Sequence, residues 1–390
     1  MAIVVVAMCF TVGAQAAGVP ANPLPLFGGS AIALTGLSLV APALPGVAFS
    51  ALTCGELAVV EGKMAQLWSG AQPDREYVPN SAVLQAIIAN QTATIDPLVG
   101  LQDKDNKMKI TFIKSCPSDP EDKTADCMPD GDEDTIDCKE YEPTILKQLP
   151  FKVNENTFRT STYTKEELIA KGLAKRLKLM DEMLTAQAVA FLDDSEGVSL
   201  NNWVGDLGTL EGTGTVGDSY IKVAPAYWTA DLMGYLTTLA QMNKFPSPFL
   251  ISGANLQAVK WNAEMSAANA DGKGDFNKIS SLPMVNDPWN IDSAFSYPTT
   301  FLINKGALAF GAKWRYGNTP TDMGGDIGKR WSTPSPTLPG VRYDIYYKVE
   351  CSGDDQIYHK FNIIARAGFY LNPVGCVSDN TGILRVHKKA

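Results

Sequence analysis

Thr164–Asp193 reads TKEELIAKGLAKRLKLMDEMLTAQAVAFLD. Thr164 with Glu167 makes a capping box, and Glu166 and Glu167 put acids in the first turn, both marks of a helix start. Leu168, Gly172, Leu173, Arg176, Leu177, Met180, Met183, Leu184, Gln187 and Phe191 then recur at three- and four-residue steps, the spacing of one helical face. Lys171, Lys175, Lys178, Asp181 and Glu182 are expected on the wet face. At 1.5 Å per residue the rod is about 43 Å long, well beyond the usual three turns. Such a helix is a spine on which other elements must lie.

Just before it, Lys107–Lys114 (KMKITFIK) alternates Met108, Ile110 and Phe112 with Lys107, Lys109 and Thr111. That is the pattern of a half-buried strand. Between Pro117 and Glu142 follow eleven acids and only Lys123 and Lys139 as bases, a charge of −9 that equals the net charge of the whole 390-residue chain. The rest of the chain is therefore close to neutral. Tyr141–Val153 is expected to return antiparallel to Lys107–Lys114, so that Lys104–Asn156 forms a long hairpin with an acidic, solvent-facing tip. A lone hairpin is marginal in water, and it must lie on something.

After the spine, Gly197–Val223 is rich in glycine and reads as loop. Tyr227–Asn243 and Ala254–Ala268 read as helices, with Phe249–Ser252 a buried strand between them. Thr300–Phe310 reads as two short strands about Asn304-Lys305-Gly306. Arg342–Cys351 and Gln356–Tyr370 form a hairpin in which Val341, Tyr343, Ile345, Tyr347 and Val349 share one face at period two. The fold class is α+β.

Chemistry is sparse. His359 and His387 are the only histidines, whereas zinc sites and nucleophile–base pairs usually draw on several. His359 lies in an apparent strand and is read as a packing or hydrogen-bonding residue. Gly212-Thr-Gly214-Thr-Val-Gly217 matches a dinucleotide fingerprint by spacing, but it lacks the strand before and the helix after that the motif needs. Asp130-x-Asp132-x-Asp134 begins like an EF-hand loop, yet Thr135 and Tyr141 stand where glycine and glutamate belong. Asp193 and Asp194 are more simply a turn than a catalytic pair. The sequence points to no enzyme, no metal and no cofactor. The acidic balance also disfavours a protein that scans nucleic acid.

The first charged residue is Glu56. Met1–Ala16 with Ala14-Gln15-Ala16 fits a secretory signal without its positive start. Phe27–Phe49 fits a membrane span only if Pro42 and Pro45 are overlooked. An extended apolar arm, punctuated by Pro20, Pro23, Pro25, Pro42 and Pro45 and covered by other subunits, is the preferred reading of Met1–Gly55. Seven cysteines are an odd number. Cys116, Cys127 and Cys138 fall eleven apart within a short internal echo; a disulfide within this triplet and reduced thiols both remain open.

The order of parts (apolar arm, long charged hairpin, spine helix, compact α+β region, closing strands) resembles the major capsid protein of tailed bacteriophages, the HK97-like shell fold also used by encapsulins. The resemblance covers about residues 100–375. It implies an N-terminal arm and lead-in over 1–100, an E-loop-like acidic hairpin over 101–160 and a spine helix with peripheral domain over 161–225. An axial-like domain follows over 226–340, and C-terminal strands close the core over 341–390. It further implies self-assembly into hexamers and pentamers of a virion shell in the host cytoplasm, with scaffolding, portal or decoration proteins as further partners. DNA would be enclosed without sequence-specific binding by a body that has no basic stripe, and no membrane is involved. Met108, Ile110 and Phe112 are the expected subunit-interface residues. The alternative is an exported cell-envelope binding protein or hydrolase with a cleaved signal peptide.

Overall fold

The computed structural model describes residues 51–68, 80–96, 107–114, 135–197, 208–229, 231–268, 282–324, 328–351, 356–372 and 380–389. Within them the spine is helix α4 (Lys165–Asp194), preceded by α1 (Cys54–Trp68), α2 (Ala82–Asn90) and α3 (Glu155–Thr160) and followed by α5 (Asp231–Met242), α6 (Ala254–Ala268) and α7 (Pro288–Ala294). The capping box at Thr164 and Glu167 is present as expected.

Three sheets surround these helices. A small sheet orders β1 (Thr94–Asp96), β2 (Met108–Lys114) and β3 (Thr135–Tyr141). The spine sheet orders β10 (Leu308–Ala312), β14 (Ile357–Leu371), β13 (Arg342–Cys351), β12 (Lys329–Pro334) and β11 (Thr321–Asp322), with β4 (Ile145–Asn154) beside β10 along the free edge of β14. The third sheet orders β5 (Gly208–Thr215), β6 (Asp218–Val223), β15 (Ile383–Lys388), β9 (Thr299–Asn304), β7 (Pro248–Ser252) and β8 (Met284–Asn286). The third sheet is buried on both sides. Phe249, Ile251, Phe301 and Ile303 join the large core around the spine, while Leu250 and Leu302, one residue on, join the core under α5. Strands covered on both faces read as continuous apolar runs, which is how Phe249–Ser252 and Thr300–Ile303 look in the sequence.

Several expectations change. The strand that returns along β2 is β3, inside the acidic stretch, with Ile110 opposite Lys139 and Phe112 opposite Asp137. Ile145–Asn154 instead joins β14: Ile145 and Phe151 are buried, and Phe151 stacks on Phe361 at 4.9 Å. Pro150 has no N–H to donate, which suits an edge strand. The glycine motif at 212–217 is no loop but the tip of the β5–β6 hairpin, turned by Gly217 at φ +84°, so it meets no helix. Thr299–Asn304 and Leu308–Ala312 enter different sheets rather than pairing. Gly306 makes the crossing at φ +82°, its N–H bonded to the Asn90 carbonyl. Helix α5 starts at Asp231, after a 3-10 turn at Pro225–Tyr227.

Asp181 belongs to the buried face of the spine and not to its wet one. The region read as a lead-in is partly core: Leu52, Leu57, Val60 and Met64 on and before α1, and Val83, Leu84 and Ile87 on α2, are buried in the core around the spine. The Leu52 N–H donates to Tyr347 Oη at 2.9 Å, and Lys329 Nζ donates to the Leu52 carbonyl. Whatever the preceding 50 residues do, the chain is tied into the body from Leu52 onward. Met1–Ser50, Cys116, Cys127 and the carboxylates from Asp119 to Asp134 lie outside the described residues, as does the Cys138 side chain. No described helix is long and apolar enough to cross a membrane.

Candidate assembly surface

The charged hairpin is pinned to the body at its root. Met108 and Ile110 are 3% and 0% exposed and cluster with Ala309 and Tyr370, with Ala93 and Tyr141 packed alongside. The Tyr141 and Tyr370 rings lie 4.5 Å apart. Tyr370 Oη donates to the Glu142 carbonyl at 3.0 Å, and Lys313 Nζ donates to the Lys107 carbonyl at 2.8 Å. Two of the three expected interface residues therefore face this chain's own body. The alternation marked a buried face correctly, but period two does not say which neighbour buries it. Phe112 lies four residues beyond Met108 on the same strand; its side chain is outside the described set.

The spine is locked to its sheet by a buried polar seam. The Asp181 carboxylate, fully buried, accepts from Ser335 Oγ (2.7 Å), Thr337 Oγ1 (2.6 Å), the Thr337 N–H (3.1 Å) and Tyr343 Oη (2.5 Å). Burial pushes this carboxyl above its ordinary pKa, against the pull of those donors. Four donors converging on one carboxylate satisfy a group that would otherwise be costly to bury. Farther along, Arg385 pairs with Asp193 and stands 3.2 Å from the buried Glu196. Asp193 thus has a structural use. His359 is buried, as its strand position suggests, with Nδ1 2.8 Å from Tyr347 Oη and Nε2 2.5 Å from Glu155. Among the described residues no group of three or more His, Cys, Asp or Glu could hold a metal ion.

The outer face of the spine sheet is different. Its core face carries Phe151, Phe361 and Tyr347; the next position along each of these strands carries Lys152, Lys360 and Lys348. The register places the three lysines in one cross-strand row, Lys152 opposite Lys360 and Lys360 opposite Lys348. The next row is Pro150, Asn362, Tyr346 and Arg330. Together they line an open cavity of about 740 Å³. Glu350 pairs with both Lys348 and Lys360, and these two donors hold its carboxyl down to about 2. Lys152 Nζ lies 4.5 Å over the Tyr358 ring, and the Arg330 guanidinium 4.5 Å over Tyr346. A neutral body without a basic stripe was the expectation; the structure builds a basic row. Each strand gave its own part of the signal as a lysine alternating with an aromatic, but only the register aligns them.

No family model matches the chain, and no curated protein matches it. Among solved structures, it is similar to a chain of Mycobacterium phage Che8, at 11% identity and a TM-score of 0.40, covering 73% of this chain and 85% of that one. A cyanophage A-1(L) capsid asymmetric unit is similar at 12% identity and a TM-score of 0.44, covering 80% and 94%. The capsid of a native GTA particle is similar at 12% identity and a TM-score of 0.39, covering 82% and 94%.

Proposed function

We propose that this chain is the repeating subunit of a bacteriophage-type shell with the HK97-like fold. The observation that carries the reading is the three-stranded sheet β1–β2–β3. It is separate from both body sheets in its hydrogen bonding and held to the spine sheet at its root by a cluster of four buried residues. A strand pair of this kind, with an acidic stretch at its far end, gains cover when a neighbouring copy supplies it. The 30-residue spine, with its side chains locked to the sheet at Asp181, gives such a subunit a stiff frame. In this reading the subunits form hexamers and pentamers that enclose DNA through shape and not through base contacts, and the role is structural rather than catalytic.

The division of labour follows the sheets. Residues 54–68, 82–90 and 145–194 with β10–β14 form the peripheral part, and the third sheet with α5–α7 forms the axial part. Phe112 is the remaining interface residue. Phe112→Asp is expected to leave a folded, soluble subunit and to prevent particle growth, read by sizing and electron microscopy; particles of normal size and yield would remove Phe112 from the interface. Met108→Asp is expected to unfold the hairpin root, read as earlier proteolysis between residues 97 and 145.

A further inference from the structure

We propose that Glu155, His359 and Tyr347 form a proton-operated latch on the backbone of Leu52, closed near neutral pH and opened in acid. The latch sits where the described body begins, and the inference stands whether or not that body builds a shell.

Helix α1 is prepared locally at its start. Thr53 and Glu56 make a capping box, the Thr53 N–H donating to Glu56 Oε2 at 2.6 Å and the Glu56 N–H to Thr53 Oγ1 at 3.2 Å. Leu52, just before the cap, and Leu57, four residues after it, are both fully buried, as in the apolar staple across a helix start. What ties this start to the spine sheet is the backbone of Leu52. Its N–H donates to Tyr347 Oη at 2.9 Å, and its carbonyl accepts from Lys329 Nζ. Behind Tyr347 lies His359, fully buried, with Nδ1 2.8 Å from the phenol oxygen and Nε2 2.5 Å from Glu155 Oε2.

The protons along this chain of bonds run one way. An ionised carboxylate only accepts, so His359 carries its proton on Nε2 and donates to Glu155. The bare Nδ1 of the neutral ring then accepts from the Tyr347 hydroxyl, whose oxygen accepts from Leu52. Every group is satisfied, and the ring must be neutral for it. An imidazolium donates from both nitrogens. Tyr347 then has no acceptor for its own proton among the described residues. A buried hydroxyl without a partner is costly, so Tyr347 turns from the pair and the Leu52 N–H loses its acceptor.

The surroundings set the direction of the response. The strands on either side place only Val349 and Val153 opposite His359, and the Phe158 ring meets it edge-on at 5.4 Å. The charged groups acting on the ring are Glu155 of α3, Lys165 of the spine, 3.9 Å from Glu155, and Glu56 of α1. Burial holds the ring below the ordinary 6.5, with Lys165 on the same side and Glu155 and Glu56 against it. The latch is therefore complete above pH 6.5 and is lost as pH falls through the lower folded value. Glu61, farther along α1, takes up its proton as pH falls below about 7. That favours the docked helix, so Glu61 opposes the opening and does not cause it.

Hydrogen exchange of the full-length protein, read by mass spectrometry and corrected for the intrinsic rate, is compared at about pH 7.5 and about pH 5, either side of the ordinary histidine value. Peptides over residues 51–57 are expected to exchange about tenfold faster in acid, while spine peptides over residues 169–184 keep their protection. His359→Gln retains one acceptor and one donor but does not titrate, and it should keep residues 51–57 protected at both pH values. Equal opening in His359→Gln, or no opening in the natural chain, would overturn the proposal. Glu155→Gln keeps an acceptor and removes the charge that favours the imidazolium, so the opening midpoint should move about one pH unit toward acid. An unmoved midpoint overturns the proposal even where His359→Gln does not fold. Tyr347→Phe should leave residues 51–57 open at both pH values, and an opening that still depends on pH would place the latch elsewhere.

Discussion

The two faces of the spine sheet, one residue apart along the same strands, solve opposite problems. On the inner face Phe361 is 2% exposed, with Phe151 4.9 Å and Tyr347 4.8 Å away between ring centroids. On the outer face, one position on, Lys360 stands between Lys152 and Lys348. The inner face is held by dispersion and water exclusion among rings that fill the space against the spine. The outer face is held by nothing comparable; Lys348 and Lys360 share Glu350, while Lys152 lies over the Tyr358 ring and Arg330 over Tyr346. A strand pays no heed to the difference in backbone terms, so side-chain environment alone separates what folds the subunit from what it shows to solvent.

Substitutions should separate the two faces by size of effect. Phe361→Ala is expected to cost about 3–5 kcal/mol, the usual loss for a buried aromatic truncated in a packed core, read by denaturant unfolding. A loss below about 1 kcal/mol would mean that the inner face is not the packed one. Asp181→Ala, where the spine meets the same sheet, is expected to cost about 1–3 kcal/mol for each hydroxyl left buried without a partner. Asp181→Asn, which can still accept, should cost less. Lys348→Ser with Lys360→Ser should change the stability of the subunit by no more than about 0.5 kcal/mol, and a loss above about 2 kcal/mol would mean that the outer face helps to hold the fold.

Acidity offers a smaller and subtler probe. Burial pushes the Glu61 carboxyl up to about 7, against the opposing pull of Trp331, Arg342 and Thr333. Its folded value lies above its unfolded one, so its contribution is complete below about pH 4.5 and is lost as pH rises toward 7. His387 runs the other way. Burial, with the Arg385 and Lys222 charges nearby, pushes it down to about 4, so its contribution is present above pH 6.5 and is lost as pH falls toward 4. Melting temperature against pH should therefore slope down on both sides of a broad maximum. Between about pH 4.5 and 6.5 the two contributions oppose each other, so Glu61→Gln should turn the slope there toward higher stability with rising pH, and an unchanged slope would place the titrating group elsewhere.

Much of this fold is legible from local pattern. The capping box at Thr164, the three- and four-residue steps through Leu184, and the alternation from Val341 to Val349 all fall where local physics puts them. What local pattern does not carry is partnership. Asp181 looks solvated because an acid on a helix usually is; its donors come from residues 335, 337 and 343, more than 150 positions away. Ile145–Asn154 looks like the near return of a hairpin because short connections are commonest, yet its partner is β14, some 200 residues on. The lysine row is hidden for the same reason, being assembled by register from three strands of which none is unusual alone. Met108 and Ile110 were recognisable as buried, though not as buried by this chain.

The shell reading is tested most directly by the mass of the native particle. The full-length chain, purified without denaturant and examined by light scattering and electron microscopy, should form closed shells of megadalton mass. A monodisperse monomer or small oligomer across protein concentration and ionic strength would contradict that reading.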